Sequence, residues 1–214
     1  MNRDARLDAR GVPVVALAGT CMEAGKTAAA AAIVSRMRHR GLVVDAFKAT
    51  GVSLRRDIMA FEDAGARKSM IFTDLGVVTT SPRTGPALTR TMLTELAAGK
   101  PDVIVFELGD GLLGTYGVDA ILNCDDIRRA ITGLVLSAND PVAAWGGVQL
   151  LRERFKVEPC MVTGPSTDNQ VGVDIIEQQL KVPACNAISH PAALGDAVIE
   201  AVGLGGRAAA RAAE

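Results

Sequence analysis

With 214 residues, the chain has room for a single α/β domain with a full doubly wound sheet and its own core. A formal charge of −1 with no basic block gives no footprint for nucleic acid or an anionic membrane surface. No apolar run approaches the ~20 residues of a membrane span, and Met1 to Arg10 is too charged for a signal peptide, so a cytoplasmic protein is expected. Cys21, Cys124, Cys160 and Cys185 lack metal-ligand or framework spacing, which reads as reduced thiols, three of them plain core residues.

After an N-terminal extension at 1–10, one nucleotide-binding domain is expected over 11–203. Its first strand is Val14-Val15-Ala16-Leu17-Ala18, a continuous run of β-branched and small residues suited to burial on both faces of a parallel sheet. Ala28 to Arg40 follows as a helix with cations in its last turn and Gly41 as its stop, and Arg36, Arg38, His39 and Arg40 read as a solvated face that complements the helix dipole. Between them lies Gly19-Thr20-Cys21-Met22-Glu23-Ala24-Gly25-Lys26-Thr27. A glycine turn, a lysine and a hydroxyl between a strand and a helix suit a nucleotide phosphate tail, because backbone N–H groups and the helix N-terminus both point at an anion there. The loop is a variant P-loop: the strict pattern has glycine five positions before Gly25, where Thr20 stands, with Gly19 one place earlier. Gly19 to Thr27 and Ala28 are the candidate nucleotide-binding residues. Lys26 is expected on the β- and γ-phosphates and the Thr27 hydroxyl on Mg²⁺, with ATP as the nucleotide.

A second strand, Leu42 to Phe47, ends at Lys48-Ala49-Thr50-Gly51-Val52-Ser53. Open α/β sheets carry their chemistry at the carboxyl ends of the strands, which places Lys48 and the hydroxyls near the first loop. Leu54 to Ala64 reads as a helix with Leu54, Ile58 and Phe61 on one face. Asp57 near its start is either a Mg²⁺ ligand or a favourable charge at the helix dipole. A short strand is expected at Ser69 to Phe72, and the Thr-, Gly- and Pro-rich segment from Thr73 to Pro86 as a mobile loop lining a substrate pocket.

A helix from Ala87 to Ala98 precedes the apolar strand Asp102 to Glu107, followed by Leu108-Gly109-Asp110-Gly111. An acid at the tip of a buried strand beside a P-loop hydroxyl is a Walker B position; Glu107 is the primary metal candidate and Asp110 its rival. Gly133 to Ser137, Val157 to Val162 and Val182 to Ala187 read as further strands. Helices are expected from Val142 to Phe155, with Trp145 as packing anchor, from Val171 to Leu180 and from Pro191 to Val202, and a flexible tail over 204–214, frayed or continuing a helix. Alternating strands and helices call for a doubly wound, mostly parallel sheet covered by helices on both faces. His39 and His190 have no partners in a metal-ligand pattern.

Gly19 to Thr27 resembles the dethiobiotin synthetase loop Gly-Thr-Asp-Thr-Glu-Val-Gly-Lys-Thr, sharing the displaced glycine, the acid and the Gly-Lys-Thr ending. Phe47-Lys48-Ala49-Thr50-Gly51 resembles that family's second-strand Tyr-Lys-Pro-Val-x-Ser/Thr-Gly, shortened by two residues, and Phe106 to Leu113 resembles its Val-Glu-Gly-Ala-Gly-Gly-Leu segment. The resemblance covers the first half of the chain. It implies a P-loop NTPase of the group with MinD-type and cobyrinate amide synthase proteins: a homodimer that uses MgATP to phosphorylate a carbamate formed from CO₂ and an amine, closing a cyclic urea; the broader expectation is an ATP-dependent ligase that activates a small carboxylate or carbamate of a small-molecule substrate. Lys26 and Lys48 would then be catalytic, Thr27, Asp57 and Glu107 would hold Mg²⁺, and Lys48, Thr50 and Ser53 would contact substrate. The family's loop Asp and Thr are replaced by Cys21 and Met22, and a thioether donates no hydrogen bond. The alternatives are a MinD-like switch in which ATP drives dimerisation, and the P-loop domain of proteins linked to N-acetyl amino acid metabolism, which the Ala49-Thr50-Gly51 segment resembles.

Overall fold

The computed structural model describes residues 6–53 and 55–212. Six strands form one sheet, β1 (Val14–Gly19), β2 (Val44–Lys48), β3 (Lys68–Ile71), β4 (Val103–Gly111), β5 (Gly133–Ser137) and β6 (Met161–Thr163), in the order β3-β2-β4-β1-β5-β6. Every pairing in it is parallel. The helices are α1 (Lys26–His39), α2 (Arg55–Asp63), α3 (Gly85–Ala98), α4 (Val118–Leu122), α5 (Asp125–Ala130), α6 (Pro141–Leu150), α7 (Gln170–Ile175), α8 (Pro191–Ala201) and α9 (Gly205–Ala212). A π-helical turn extends α6 over Leu151–Phe155 and another extends α7 over Ile176–Leu180.

Period-2 alternation sorts the strand side chains between two cores. Val15, Leu17, Val44, Ala46, Val103, Val105, Val135 and Met161 pack with α1, Phe61 of α2 and α8 on one face. Ala16, Ala18, Phe47, Ile104, Phe106, Leu134, Leu136 and Val162 pack with α3, α4 and α6 on the other. Phe47 and Phe106 are register partners on β2 and β4 and stack with centroids 4.8 Å apart. Such a pair contributes roughly 1 kcal/mol beyond its buried area. It also fixes the register that brings the next residues, Lys48 and Glu107, side by side on the α1 face.

Several expectations need correction. Val182 to Ala187 is no strand: it makes one bridge, Val162 with Ala184, and Pro183 lacks the N–H a ladder would use. Strand β6 begins only at Met161, and β4 runs on through Gly111. Trp145 is 54% exposed, so it anchors no core. Cys124, Cys160 and Cys185 pack against the two cores without being fully enclosed, and Cys21 belongs to neither. Arg36 and Arg40 are not simply solvated; both bind Asp196 of α8, Arg36 through two bonds of 2.9 and 2.5 Å. The tail is not free, because α9 docks Arg207 and Arg211 on Asp102. Leu54, expected on the apolar face of the second helix, and residues 1–5 of the extension lie outside the described residues.

Candidate functional site

The site is built at the carboxyl end of the sheet, where β1 changes neighbours between β4 and β5, the position at which open α/β sheets bind ligands. Strand β1 ends at Gly19 and α1 begins at Lys26, capped by Gly25 in the left-handed region (φ 89°), a conformation glycine adopts without a Cβ penalty. Lys26 folds back over the loop, its Nζ donating to the carbonyls of Cys21 (2.7 Å) and Met22 (3.1 Å). This path explains the displaced glycine: a Cβ on Gly19 would lie 2.8 Å from Lys26 Cδ and 2.9 Å from Nζ. Burial lowers the Lys26 pKa, opposed chiefly by Glu107. Met22 and Glu23 stand out into solvent, while Ala24 is buried with its carbonyl close to Gly164 in the loop after β6. Cys21 Sγ accepts from Asn139 Nδ2 at 3.2 Å, which ties the loop to the start of α6.

Thr27 Oγ1 donates to Glu107 Oε2 at 2.9 Å, so residues 80 apart in sequence form one hard-oxygen pair beneath the loop. Glu107 is 3% exposed. Burial raises its pKa, against the opposing pull of Lys48, the Thr27 bond and Lys26. Lys48 lies beside it in register and donates to the Asp57 carboxylate at the start of α2, both groups buried. Asp57 is thus brought to the cluster as the partner of Lys48, and it also adds to the negative field at Glu107. Asp110, the rival acid, accepts from the Gly111 (2.7 Å) and Tyr116 (3.4 Å) backbone N–H groups and so organises its own loop. That loop is tied to the P-loop by Leu112 N–H donating to the Gly19 carbonyl at 2.9 Å.

The two remaining candidates diverge. Thr50 is fully buried, and its hydroxyl accepts from Gly109 N at 2.8 Å, clamping the ends of β2 and β4 together rather than facing a ligand. Ser53 lies on a cavity wall, 3.4 Å from the Thr73 hydroxyl. Three buried hydroxyls have no partner among the described residues, at the carboxyl ends of β1, β5 and β6: Thr20, a candidate already as part of the loop, and Ser137 and Thr163, which the sequence did not single out. Ser137 pairs in register with Gly19 and Thr163 with Ser137, so a polar row continues from the loop across the sheet edge. The signal was present as a hydroxyl closing each apolar strand.

Among the described residues no three His, Cys, Asp or Glu side chains group as a self-sufficient metal site. Thr27 and Glu107 offer the incomplete oxygen set that suits Mg²⁺, which keeps waters and takes its other ligands from phosphate. No helix of the described residues is long and apolar enough to cross a membrane.

No protein-family model matches the chain, and no curated protein sequence matches it. Solved structures do. A DUF1611 family protein from Anabaena variabilis superposes with a TM-score of 0.61 at 16% identity, over 94% of this chain and 62% of that one. The signal recognition particle receptor FtsY from Elizabethkingia anophelis, in complex with GDP, gives 0.58 at 14% identity, over 85% of this chain and 58% of that one. A nucleotide-binding protein from Archaeoglobus fulgidus, in complex with ADP, gives 0.57 at 12% identity, over 90% and 93%. The chain has the α/β fold of P-loop NTPases. It spans about three fifths of the FtsY and DUF1611 chains it resembles.

Proposed function

We propose that the chain binds MgATP at Gly19 to Ala28 and uses it to phosphorylate, and so activate, a small carboxylate or carbamate. The observation that carries this reading is the convergence of Lys26, the Thr27–Glu107 pair and Lys48 at one sheet edge. Phosphoryl transfer asks a protein for little beyond positioned charge, and these are the groups it needs. When nucleotide is bound, Lys26 exchanges two loop carbonyls for phosphate oxygens. Thr27 and Glu107 would hold Mg²⁺, which would neutralise the phosphate charge. Lys48, one strand beyond Glu107, faces the side from which an acceptor arrives and steadies the charge on the group in transfer, while Asp57 keeps its ammonium in place. A dethiobiotin synthetase-like ligase, working as a homodimer on a small molecule, is the finer form of this reading.

A nucleotide-driven switch is the second reading, favoured by the Leu112–Gly19 bond, through which occupancy of the loop would reach the segment after β4. One assay separates the two. ADP release from MgATP is measured alone and with bicarbonate plus a panel of diamines, amino acids and carboxylates, using Lys26→Ala as blank. Stimulation by one panel member, absent from the blank, is expected for the enzyme. Slow release that no small molecule alters, with a monomer-to-dimer shift on MgATP in size-exclusion chromatography, would count for the switch.

A further inference from the structure

Beyond Lys48 the chain turns through Ala49 to Ser53, and this turn is packed between two other segments. On one side runs the stretch between β3 and α3, expected from its Thr, Gly and Pro content to be a mobile loop. It is tied down there: Val52 bridges Thr79 in antiparallel fashion, Ser53 N donates to the Val78 carbonyl at 3.3 Å, and Thr80 N donates to the Gly51 carbonyl at 3.2 Å. On the other side lies the end of β4, to which Thr50 is clamped through Gly109 N.

The stem of Lys48 runs along the seam between the turn and β4. A Cβ on Gly109 would stand 2.6 Å from Lys48 Cε and 2.1 Å from the Thr50 carbonyl oxygen, and one on Gly51 would stand 3.4 Å from Cε and 2.9 Å from the Gly109 carbonyl oxygen. Two glycines therefore form a slot whose bare backbone admits the lysine stem. Four flexible carbons separate the Lys48 backbone from its ammonium. Pairing with Asp57 holds the head, and the slot holds the stem that leads to it.

One buried hydroxyl keeps the slot closed. Thr80 is 4% exposed; its Oγ1 accepts from Gly51 N at 2.8 Å and donates its only proton to the Tyr116 carbonyl at 2.8 Å. Tyr116 belongs to the loop that Asp110 organises and that Leu112 ties to Gly19. The turn after Lys48, the segment before α3 and the loop after β4 thus meet at a single oxygen. Removing it takes the partner from a buried N–H and from a carbonyl at once.

We propose that Thr80 is a positioning residue for phosphoryl transfer: its hydroxyl holds the glycine slot shut on the Lys48 stem and so keeps the ammonium in place for the group in transfer. The inference rests on the phosphoryl-transfer reading above and adds to it a residue that acts on Lys48 through Gly51.

Lysines labelled with ¹³C at Cε report the stem directly in the full chain. A held stem shows its two Cε protons as separate resonances and a freely turning one merges them; Lys48→Met assigns the signal. The native chain and Thr80→Ser, which keeps the hydroxyl, are expected to show the Lys48 pair resolved. Thr80→Val and Thr80→Ala should merge it and leave unchanged the Lys26 pair, whose stem lies against Gly19. Two replacements of different volume keep the test open where one of them fails to fold. In ADP release from MgATP, valine and alanine are expected to lower kcat about 10–100-fold at unchanged KM, since a misplacement of about 1 Å costs up to about 100-fold, and serine to restore it. A Lys48 pair that stays resolved without the hydroxyl, Lys26 and Lys48 loosening together, or an unchanged kcat once the Lys48 pair has merged would overturn the proposal. A native chain that releases no ADP, with the Lys48 resonances responding as described, would strike the phosphoryl-transfer reading and leave Thr80 as the residue that holds Lys48.

Discussion

Strands β2 and β4 bear charge at both ends, and the two ends are handled differently. At the amino end, Asp45 is fully buried and receives two bonds from Arg67, at 2.9 and 2.6 Å. Asp102 accepts from Val43 N at 2.8 Å and pairs with Arg207 and Arg211. At the carboxyl end, Glu107 has one hydroxyl partner among the described residues, and the lysine beside it is given to Asp57. A buried carboxylate that meets a guanidinium is neutralised in place and belongs to the scaffold. A buried carboxylate left with a hydroxyl, and with its pKa raised by burial, is costly unless a cation arrives from outside. The first end holds the sheet to α9 and the second is poised for a ligand.

The largest effect should follow from breaking the carboxyl end. Lys48→Met is expected to lower the ADP-release rate by 10²–10³-fold, roughly 3–4 kcal/mol of lost charge stabilisation, while nucleotide affinity changes little. It also strands Asp57 in a buried site, which costs about 3 kcal/mol of stability in denaturant unfolding. Adding Asp57→Leu should restore stability and leave turnover low, which separates the two roles of the pair.

At the amino end the pattern inverts. Asp102→Ala leaves Val43 N without its acceptor and should cost about 1–3 kcal/mol of unfolding free energy, with ADP release unchanged. A smaller contrast lies in the cysteines. Burial pushes the Cys160 thiol up to about 11, so it should resist alkylation in the native state, whereas part-exposed Cys21 reacts. A bulky group on Cys21 should block the loop to nucleotide, and MgATP should slow its modification. Smallest of all is an acid-stability effect. Arg36 and Arg40 hold Asp196 below its ordinary range. Their contribution is complete above about pH 4, the unfolded value, and is lost as pH falls below it. Asp196→Asn should flatten that part of the stability curve.

The sequence carried the strong local signals well. The apolar run of β1, the Gly-Lys-Thr at a helix start and the acid closing β4 are short-range patterns, and Glu107 and Thr27 meet as expected of a P-loop NTPase. What was illegible depends on partners distant in the chain. Nothing near Asp57 says that its neighbour is Lys48, reached through a turn after β2. Whether the tail frays or stays helical could not be read locally, because the residue that fixes it, Asp102, lies 105 positions before Arg207. The short helices α4 and α5 passed without a signal, each too brief to show a period. The Thr50 bond to Gly109 was equally illegible, because a hydroxyl at a strand end looks the same in sequence whether it faces a ligand or clamps the neighbouring strand.

Mg²⁺-dependent ADP release by Glu107→Gln, with its unfolding free energy determined on the same preparation, tests the central contrast. Because burial raises the Glu107 pKa, its ionisation removes stability as pH climbs above the unfolded value, and a neutral amide is spared that loss. The account predicts that Glu107→Gln is at least as stable as the native chain near neutral pH and about 100-fold slower. A variant that unfolds more readily but hydrolyses MgATP at the native rate would make Glu107 another piece of scaffold and contradict it.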